Sequence, residues 1–596
     1  MFNWRLYRVA FLPLALALAV VAFSLAARPL PLTSTLAPDA FEGSRTLAEA
    51  KSLAAEFPDR RPGSPGDEAL AARIARDFEG LGGTAGGGFS VHTRHFRAQT
   101  IDGERTLTTV IAQRPGSTNA TPIVILAHRD AAAPGSEAEM SGTAALLELA
   151  RVFAARETRR TIVLVSTSGG SGGGAGAADF ATHAHGPFDA AIVLGDLAGA
   201  RERKPVVVPF SDGLGSAPIQ LQRTVTDAIA REVGSDAGSP SLIGQLAHLA
   251  FPVAVGEEGP LNAHGLPAVL VQVSGELGPT AREPVSAERL EGFGRAVLSA
   301  VDALDTAPDV SQAPQTGVLL QRQTLPAWAV RLLVGALLLG PLLLVADGLA
   351  RLRRRREPVG RWTLWTLACA LPFLLCALFV HLLGWLGVVA APATPALPSA
   401  MPFDGSAARA VAAVLLVLGL AWLCWPVLVR RVGLGVRPSP EAAGLSMLLV
   451  LLAVCVAVWA ANPFAALLLL PALHLVPLLA SPEQRPRPLG ALALVVLALL
   501  PVVLLVSFYA HQLGLGPGEV AWTAVLLLAG GHVGVLGALL WSVALGCLVG
   551  GVMLALTPGA PLPGLGADDG TEITIRGPSS YAGPGSLGGT ESALRR

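Results

Sequence analysis

Charge is scarce in this chain. Asp, Glu, Lys and Arg make up 14% of it, against about 25% in an ordinary soluble protein. Lysine is nearly missing, with Lys51 and Lys204 set against 41 arginines, a bias expected of a GC-rich bacterial genome. The formal net charge is zero and aromatic residues are 5% of the chain; with no basic stripe carrying interleaved aromatics, nucleic acid is excluded as a partner. Cysteine is missing from residues 1–368, since Cys369, Cys376, Cys424, Cys455 and Cys547 all come later. The first half therefore forms no internal disulfide, and cysteine usage leaves its compartment open.

Hydrocarbon is abundant instead. Apolar residues are 52% of the chain and mean hydropathy is +0.55, more than a soluble protein carries. The excess is uneven, which divides the chain into an N-terminal membrane anchor (residues 1–29), a polar domain (30–325), a multi-pass membrane domain (326–557) and a Gly/Pro/Ser-rich tail (558–596) expected to be disordered.

The run Val9–Ala27 follows Arg5 and Arg8 and is longer than the ~7–15 apolar residues of a cleaved signal, so it reads as an uncleaved anchor with its N-terminus in the cytoplasm. The run Ala327–Ala350 ends in "RLRRRREPVGR", a cluster that belongs on the inside by the same rule. Residues 30–325 are then extracytoplasmic and the protein is a multi-pass protein of the plasma membrane. Further runs near 362–390, 406–429, 442–461, 463–480 and 489–511 each suffice to cross a hydrocarbon core. The final stretch 520–556 has no polar loop to divide it, so seven or eight spans follow the anchor. Intramembrane acids and bases are the mark of an ion path; His381, His474, His511 and His532 in or beside the spans read more simply as hydrogen-bonded between helices.

In the polar domain, "TPIVILAH" (121–128), "RTIVLVST" (160–167), "FDAAIVLGD" (188–196) and "LPAVLVQVS" (266–274) read as buried strands, and 68–82 and 141–155 as amphipathic helices. The alternation predicts an α/β ectodomain with a mainly parallel sheet, joined to an α-helical multi-pass membrane domain. Active groups in such sheets sit at the carboxyl ends of strands. There the chain carries His128 and Asp130, the turn "TSGGSGGGAGAADF" and Asp196. His128 and Asp196 suit a metal, with Asp130 orienting the imidazole; a capped strand end with a polar loop accounts for the spacing equally well.

The blocks "RRPGSPGDEALAARIARDF", "VILAHRD", "SGTAALLELAR", "RTIVLVST", "AAIVLGDLAG" and "HGLPAVLVQ" occur in order across residues 45–305. They resemble the M28 family of zinc aminopeptidases, especially its membrane-embedded members with several C-terminal spans. The resemblance implies a co-catalytic two-zinc site in which one His and one Asp serve one metal, one Glu and one His the other, an Asp bridges them and a second Glu is the general base. Carried onto this chain, His128 and Asp130 match the family's HxD, and Asp196 matches the later Asp ligand. The bridging position is Ala138, flanked by Glu137 and Glu139; the general-base position is Gly170; the paired ligand position is Ser171; the last His position is Glu258, with His248 and His264 out of register.

The resulting expectation is a membrane-anchored M28 peptidase-like protein that is catalytically degenerate, binding a peptide or protein partner at its outer cleft and needing no cofactor. Two other readings stand beside it. One is an active zinc aminopeptidase with a rearranged site of His128, Asp196, Glu258 and Glu137 or Glu139. The other is a transport or scaffold protein acting through its membrane domain.

Overall fold

The computed structural model describes residues 4–82, 88–184, 186–308, 313–392, 394–396, 399–434, 440–480 and 486–556. The tail expected to be disordered, 558–596, lies outside the described residues. Met1–Ala555 forms one compact unit.

Among the described residues ten strands build two sheets: β1 (Ala26–Ala27), β2 (Ser90–Thr100), β3 (Gly103–Arg114), β4 (Ile123–His128), β5 (Ile162–Thr167), β6 (Ala190–Leu194), β7 (Val207–Val208), β8 (Ala268–Val271), β9 (Val318–Leu319) and β10 (Gln323–Leu325). The large sheet runs β2-β3-β5-β4-β6-β8-β7. Its centre is the expected parallel set, β5, β4, β6 and β8. The whole sheet is mixed, however, because β3 meets β5 antiparallel, β2 pairs with β3 as a hairpin, and β7 closes the far edge antiparallel. The hairpin carries polar and charged residues at alternate positions with no continuous apolar run, so periodicity did not mark it as strand. Its turn is signalled by Asp102-Gly103, where Gly103 adopts φ +83°.

The central strands are apolar throughout because both faces are covered. Ile125, Leu164, Ile192 and Val269 point into one core with helices Gly43–Glu56, Glu137–Ala154 and Ala287–Thr306. Leu126, Val165, Val193 and Leu270 point into the opposite core with Phe180, Phe210 and Leu261. Ser64 caps helix Pro65–Gly80 by accepting from the Asp67 N–H, and Ser136 caps Glu137–Ala154 by accepting from the Glu139 N–H. The second cap fixes which residues of "SEAEMSG" face the sheet.

Among the described residues seven helices are long and apolar enough to cross a membrane, eight if a bent pair is one span. The bent pair is the run expected at 362–390, which forms helices Val359–Ala368 and Leu371–Trp385 at 43°; Pro372 at the start of the second has no N–H to continue the first. The undivided stretch 520–556 separates at Gly530–Gly534 into Pro517–Ala529 and Val535–Leu556, with Gly531 at φ +81°. The small sheet β1-β10-β9 ties the chain leaving the first apolar helix to the chain entering the second.

The helix ends sort into two sets. At one end Asn462 Nδ2 donates to Leu249 O (2.8 Å), and Tyr509 Oη donates to Phe251 O (2.8 Å), both acceptors in the α/β domain. At the other end Arg355 pairs with Glu441 (2.8 Å) and Arg361 donates to Gly433 O (2.6 Å).

Candidate functional site

His128 ends β4 and Thr167 ends β5, while Asp130 and Asp196 lie just beyond the ends of β4 and β6. Beneath them Arg129 is a buried plug. Its guanidinium pairs with Asp67 Oδ1 (2.8 Å) and donates to Ser166 O (3.2 Å) and Thr108 O (2.7 Å). Asp67 Oδ2 is held in turn by the Ser168 hydroxyl (2.5 Å) and the Gly63 N–H (2.9 Å), while its Oδ1 faces the Arg129 guanidinium as an ion pair.

The Asp130 carboxylate accepts from Gly170 N–H (3.0 Å), Ser171 N–H (3.0 Å) and Ser171 Oγ (2.5 Å). It therefore anchors the glycine turn. His128 Nδ1 lies 3.0 Å from the Asp130 carbonyl oxygen and 3.8 Å from its carboxylate, so the imidazole is oriented by the backbone of Asp130 and not, as the family pattern implies, by its side chain.

Packing accounts for the glycines of the turn. A Cβ at Gly170 would stand 2.3 Å from His128 Cβ and 2.9 Å from Glu257 Cδ; one at Gly172 would meet Ile101 Cγ2 at 2.3 Å, and one at Gly173 would meet Pro392 Cβ at 2.6 Å. The turn is pressed between the hairpin, the strand-end cluster and a loop that joins two apolar helices.

The carboxylates that reach His128 are Glu139 and Glu257, each one residue from an expected position. Glu257 accepts from Thr167 Oγ1 (2.5 Å) through Oε1, while its Oε2 and Glu139 Oε2 are buried without a partner among the described residues. Burial pushes Glu257 up to about 7 against the opposing pull of His128 and Thr167. Burial likewise pushes Glu139 up to about 7, with His128 and Arg60 opposing and Asp130 and Asp196 adding to the rise. Burial alone would lower His128, but Asp130, Glu257 and Glu139 outweigh it and hold the imidazole above its usual value. His128, Glu139 and Glu257, together with Gln272 and Glu276, line a cavity of about 30 Å³, room for a water or two.

The other expected residues are placed differently. Ala138 is buried on its helix and offers no donor. Glu258 opens helix Glu258–Ala263 and turns back, its Oε2 lying 2.0 Å from where a Cβ on Gly256 would stand; burial, with Asp212, Glu276 and Glu257 adding to it, raises it well above the usual carboxylate range. Asp196 Oδ1 is taken by the N–H groups of Ala198 (3.0 Å) and Gly199 (2.7 Å), and burial raises this carboxyl to about 6. Glu137 is partly exposed. His248 sits away from the cluster, stacked on Phe210 and 3.3 Å from Glu276, and His264 Nδ1 is 2.8 Å from Pro260 O at the end of its helix. The rearranged set of His128, Asp196, Glu258 and Glu137 or Glu139 is not gathered.

Two buried carboxyls raised to about 7 have a consequence for stability. The folded state holds the Glu257 proton more tightly than the unfolded chain, so the stability present below the unfolded value near 4.5 is lost as pH rises to about 7. Glu257→Gln keeps an acceptor for Thr167 and carries no charge. It is expected to raise the thermal midpoint at pH 8, by up to about 3 kcal/mol in stability, and to leave it nearly unchanged at pH 4. An equal shift at both pH values would mean that the charge is not what costs stability.

The helices on both faces of the sheet and the polar cluster at the carboxyl strand ends define an α/β domain with a mixed sheet. Residues 109–243 match the model of Peptidase family M28, and the domain is an M28-like α/β domain with a mixed sheet. Among solved structures the chain is similar to a Porphyromonas gingivalis glutaminyl cyclase (16% identity, 44% of this chain and 99% of that one, TM-score 0.32). It is also similar to the Bacillus subtilis zinc aminopeptidase BSAP (13%, 46% and 98%, TM-score 0.34) and to a Zn-dependent exopeptidase from Parabacteroides distasonis (14%, 43% and 97%, TM-score 0.30). No curated protein matches the chain.

The residues present do not fit the family's zinc pair. Ala138 and Gly170 carry no donor atom, the Ser171 hydroxyl is spent on Asp130, and Glu258 and Asp196 face their own loops. Among the described residues no three His, Cys, Asp or Glu side chains are grouped to hold a metal ion.

Proposed function

We propose that this chain is a membrane-anchored M28-peptidase-like protein that binds at its outer cleft without hydrolysing. The observation that carries the reading is the strand-end cluster itself. Four positions of the family's ligand-and-base set hold Ala138, Gly170, Ser171 and Glu258, and the space a base would fill is closed by His128 against Gly170. With no carboxylate at the family's base position, the contribution of ~10²–10⁴-fold that a positioned base makes there is missing. What is left is an acid-lined pocket with two carboxylate oxygens that have no partner among the described residues, suited to the amino terminus of a peptide or partner protein.

The test is zinc content and hydrolysis of a leucine chromogenic anilide by the full-length protein in detergent. Far less than one zinc per chain and no hydrolysis above buffer are expected, with His128→Ala changing neither. Hydrolysis that disappears in His128→Ala would establish an active, rearranged site instead.

The proposed orientation puts residues 30–325 outside the cell and the arginine-rich ends inside. It is supported by the two sets of helix ends, since Arg355, Arg361 and Arg430 gather at the end opposite the α/β domain. A cysteine replacing the exposed Glu202 should react with an impermeant thiol reagent on intact cells, and one replacing the exposed Gly360 should not. Reversed labelling would refute the orientation.

A further inference from the structure

The segment Phe251–Glu257 links the site to the apolar helices. At its start, Phe251 and Val253 line a cavity of about 400 Å³ whose other walls include Phe373, Val506, Trp541 and Leu545. That volume lies in the ~300–1,000 Å³ range of small-molecule sites. Two of its polar tips are engaged: Tyr509 Oη donates to Phe251 O, and Ser542 Oγ donates to Ala538 O (2.6 Å). Such a cavity offers water nothing and suits hydrocarbon.

A second void, about 20 Å³, shares Val253, Leu513, Thr523 and Leu527 with the first and adds Val255 and Thr394. Val255 also lines the third, the 30 Å³ pocket of His128, Glu139, Glu257 and Glu276. One run of chain thus passes from an apolar chamber among spans to a water-sized pocket with three carboxylates and one imidazole.

We propose that the ligand is a long-chain primary amine, its ammonium head seated between Glu139 and Glu257 beside His128 and its single apolar chain in the cavity lined by Phe251, Val253 and Trp541. An ammonium is a compact cation with three donors, and the pocket presents two buried carboxylate oxygens without partners among the described residues. A helix, ~10–12 Å across with its side chains, is too wide for the intermediate void, so the occupant is one extended chain. The charge of the pocket turns away fatty acids and phosphate headgroups. The inference rests on the reading that the cleft binds without hydrolysing.

The test uses the full-length protein in phosphatidylcholine nanodiscs with hexadecylamine carrying a mid-chain diazirine. Photolysis should label peptides containing Phe373, Val506 or Trp541. Unlabelled hexadecylamine should compete at least tenfold better than hexadecanol, hexadecanoate or butylamine. Glu257→Gln should weaken that competition about tenfold, and Ala524→Trp, which fills the cavity, should abolish labelling. Because Ala524→Trp perturbs packing, the series butylamine, octylamine, hexadecylamine on the unaltered protein supplies the same information. Equal competition by hexadecanol would overturn the head assignment; affinity independent of chain length would overturn the chain assignment. Anilide hydrolysis would sink the non-hydrolytic reading while leaving these competition results to stand or fall separately.

Discussion

Asp130→Ala is expected to unfold the α/β domain or leave it only marginally folded. The carboxylate is buried and accepts from two N–H groups and one hydroxyl of the glycine turn. Its removal leaves three buried donors unmatched at ~1–3 kcal/mol each. Relief of repulsion with Glu139 and Glu257 offsets part of this, so the net loss is about 4–5 kcal/mol, a large share of the ~5–15 kcal/mol that holds an ordinary domain. Asp130→Asn is expected to cost less, since its amide oxygen still serves one side of the turn while its NH₂ faces donors on the other. Thermal unfolding of the purified full-length protein measures both. A loss below about 1 kcal/mol for Asp130→Ala would show that the turn is held by something other than this carboxylate.

Restoring the family's carboxylates is expected to fail for a steric reason. In Gly170→Glu with Ser171→Glu, the new Cβ at 170 would lie 2.3 Å from His128 Cβ, an atom fixed to the end of a central strand that cannot swing aside. Overpacking of this kind costs ~1–3 kcal/mol, and the double replacement also removes the Ser171 hydroxyl from Asp130 and adds two carboxylates to a pocket that already holds Glu139 and Glu257. Gly170→Ala should lower stability by about 2–3 kcal/mol, and the double variant should lose more and hydrolyse no leucine anilide. Adding Ala138→Asp and Glu258→His leaves the clash in place and is expected to bind no zinc pair. A neutral Gly170→Ala would mean that the turn opens readily and that the site is merely unoccupied by carboxylates, not closed to them.

The reason for the glycine-rich turn is therefore divided between what the chain carries and how it packs. The register of "AHRD" against "TSGGSGGGAG" shows that carboxylates are missing; only the packed turn shows that Gly170 has no space for a side chain. Glu257 and Glu258 illustrate the same limit. They are adjacent in "GEEGPL", and family register points to Glu258. At the start of a helix, however, neighbouring residues lie about 100° apart around the axis, so Glu257 reaches Thr167 and His128 while Glu258 turns toward Gly256. Glu139 beside Ala138 is the same case, settled by where Ser136 caps its helix.

The sequence by itself determined the two-part plan, the four central strands and nearly every apolar helix, because burial on both faces of a parallel sheet and immersion in hydrocarbon each demand an unbroken apolar run. Through its resemblance to the family it also implied that the base position and three ligand positions hold other residues. Tertiary structure alone decided the hairpin β2-β3, whose strands read as polar chain until β3 pairs with β5. It decided which of two adjacent glutamates faces His128, and it brought the loop carrying Pro392 and Thr394 onto the glycine turn from more than 200 positions along the chain. It also aligned three voids along Phe251–Glu257. Each of these depends on contacts between segments distant in sequence, which no local pattern of polar and apolar residues encodes.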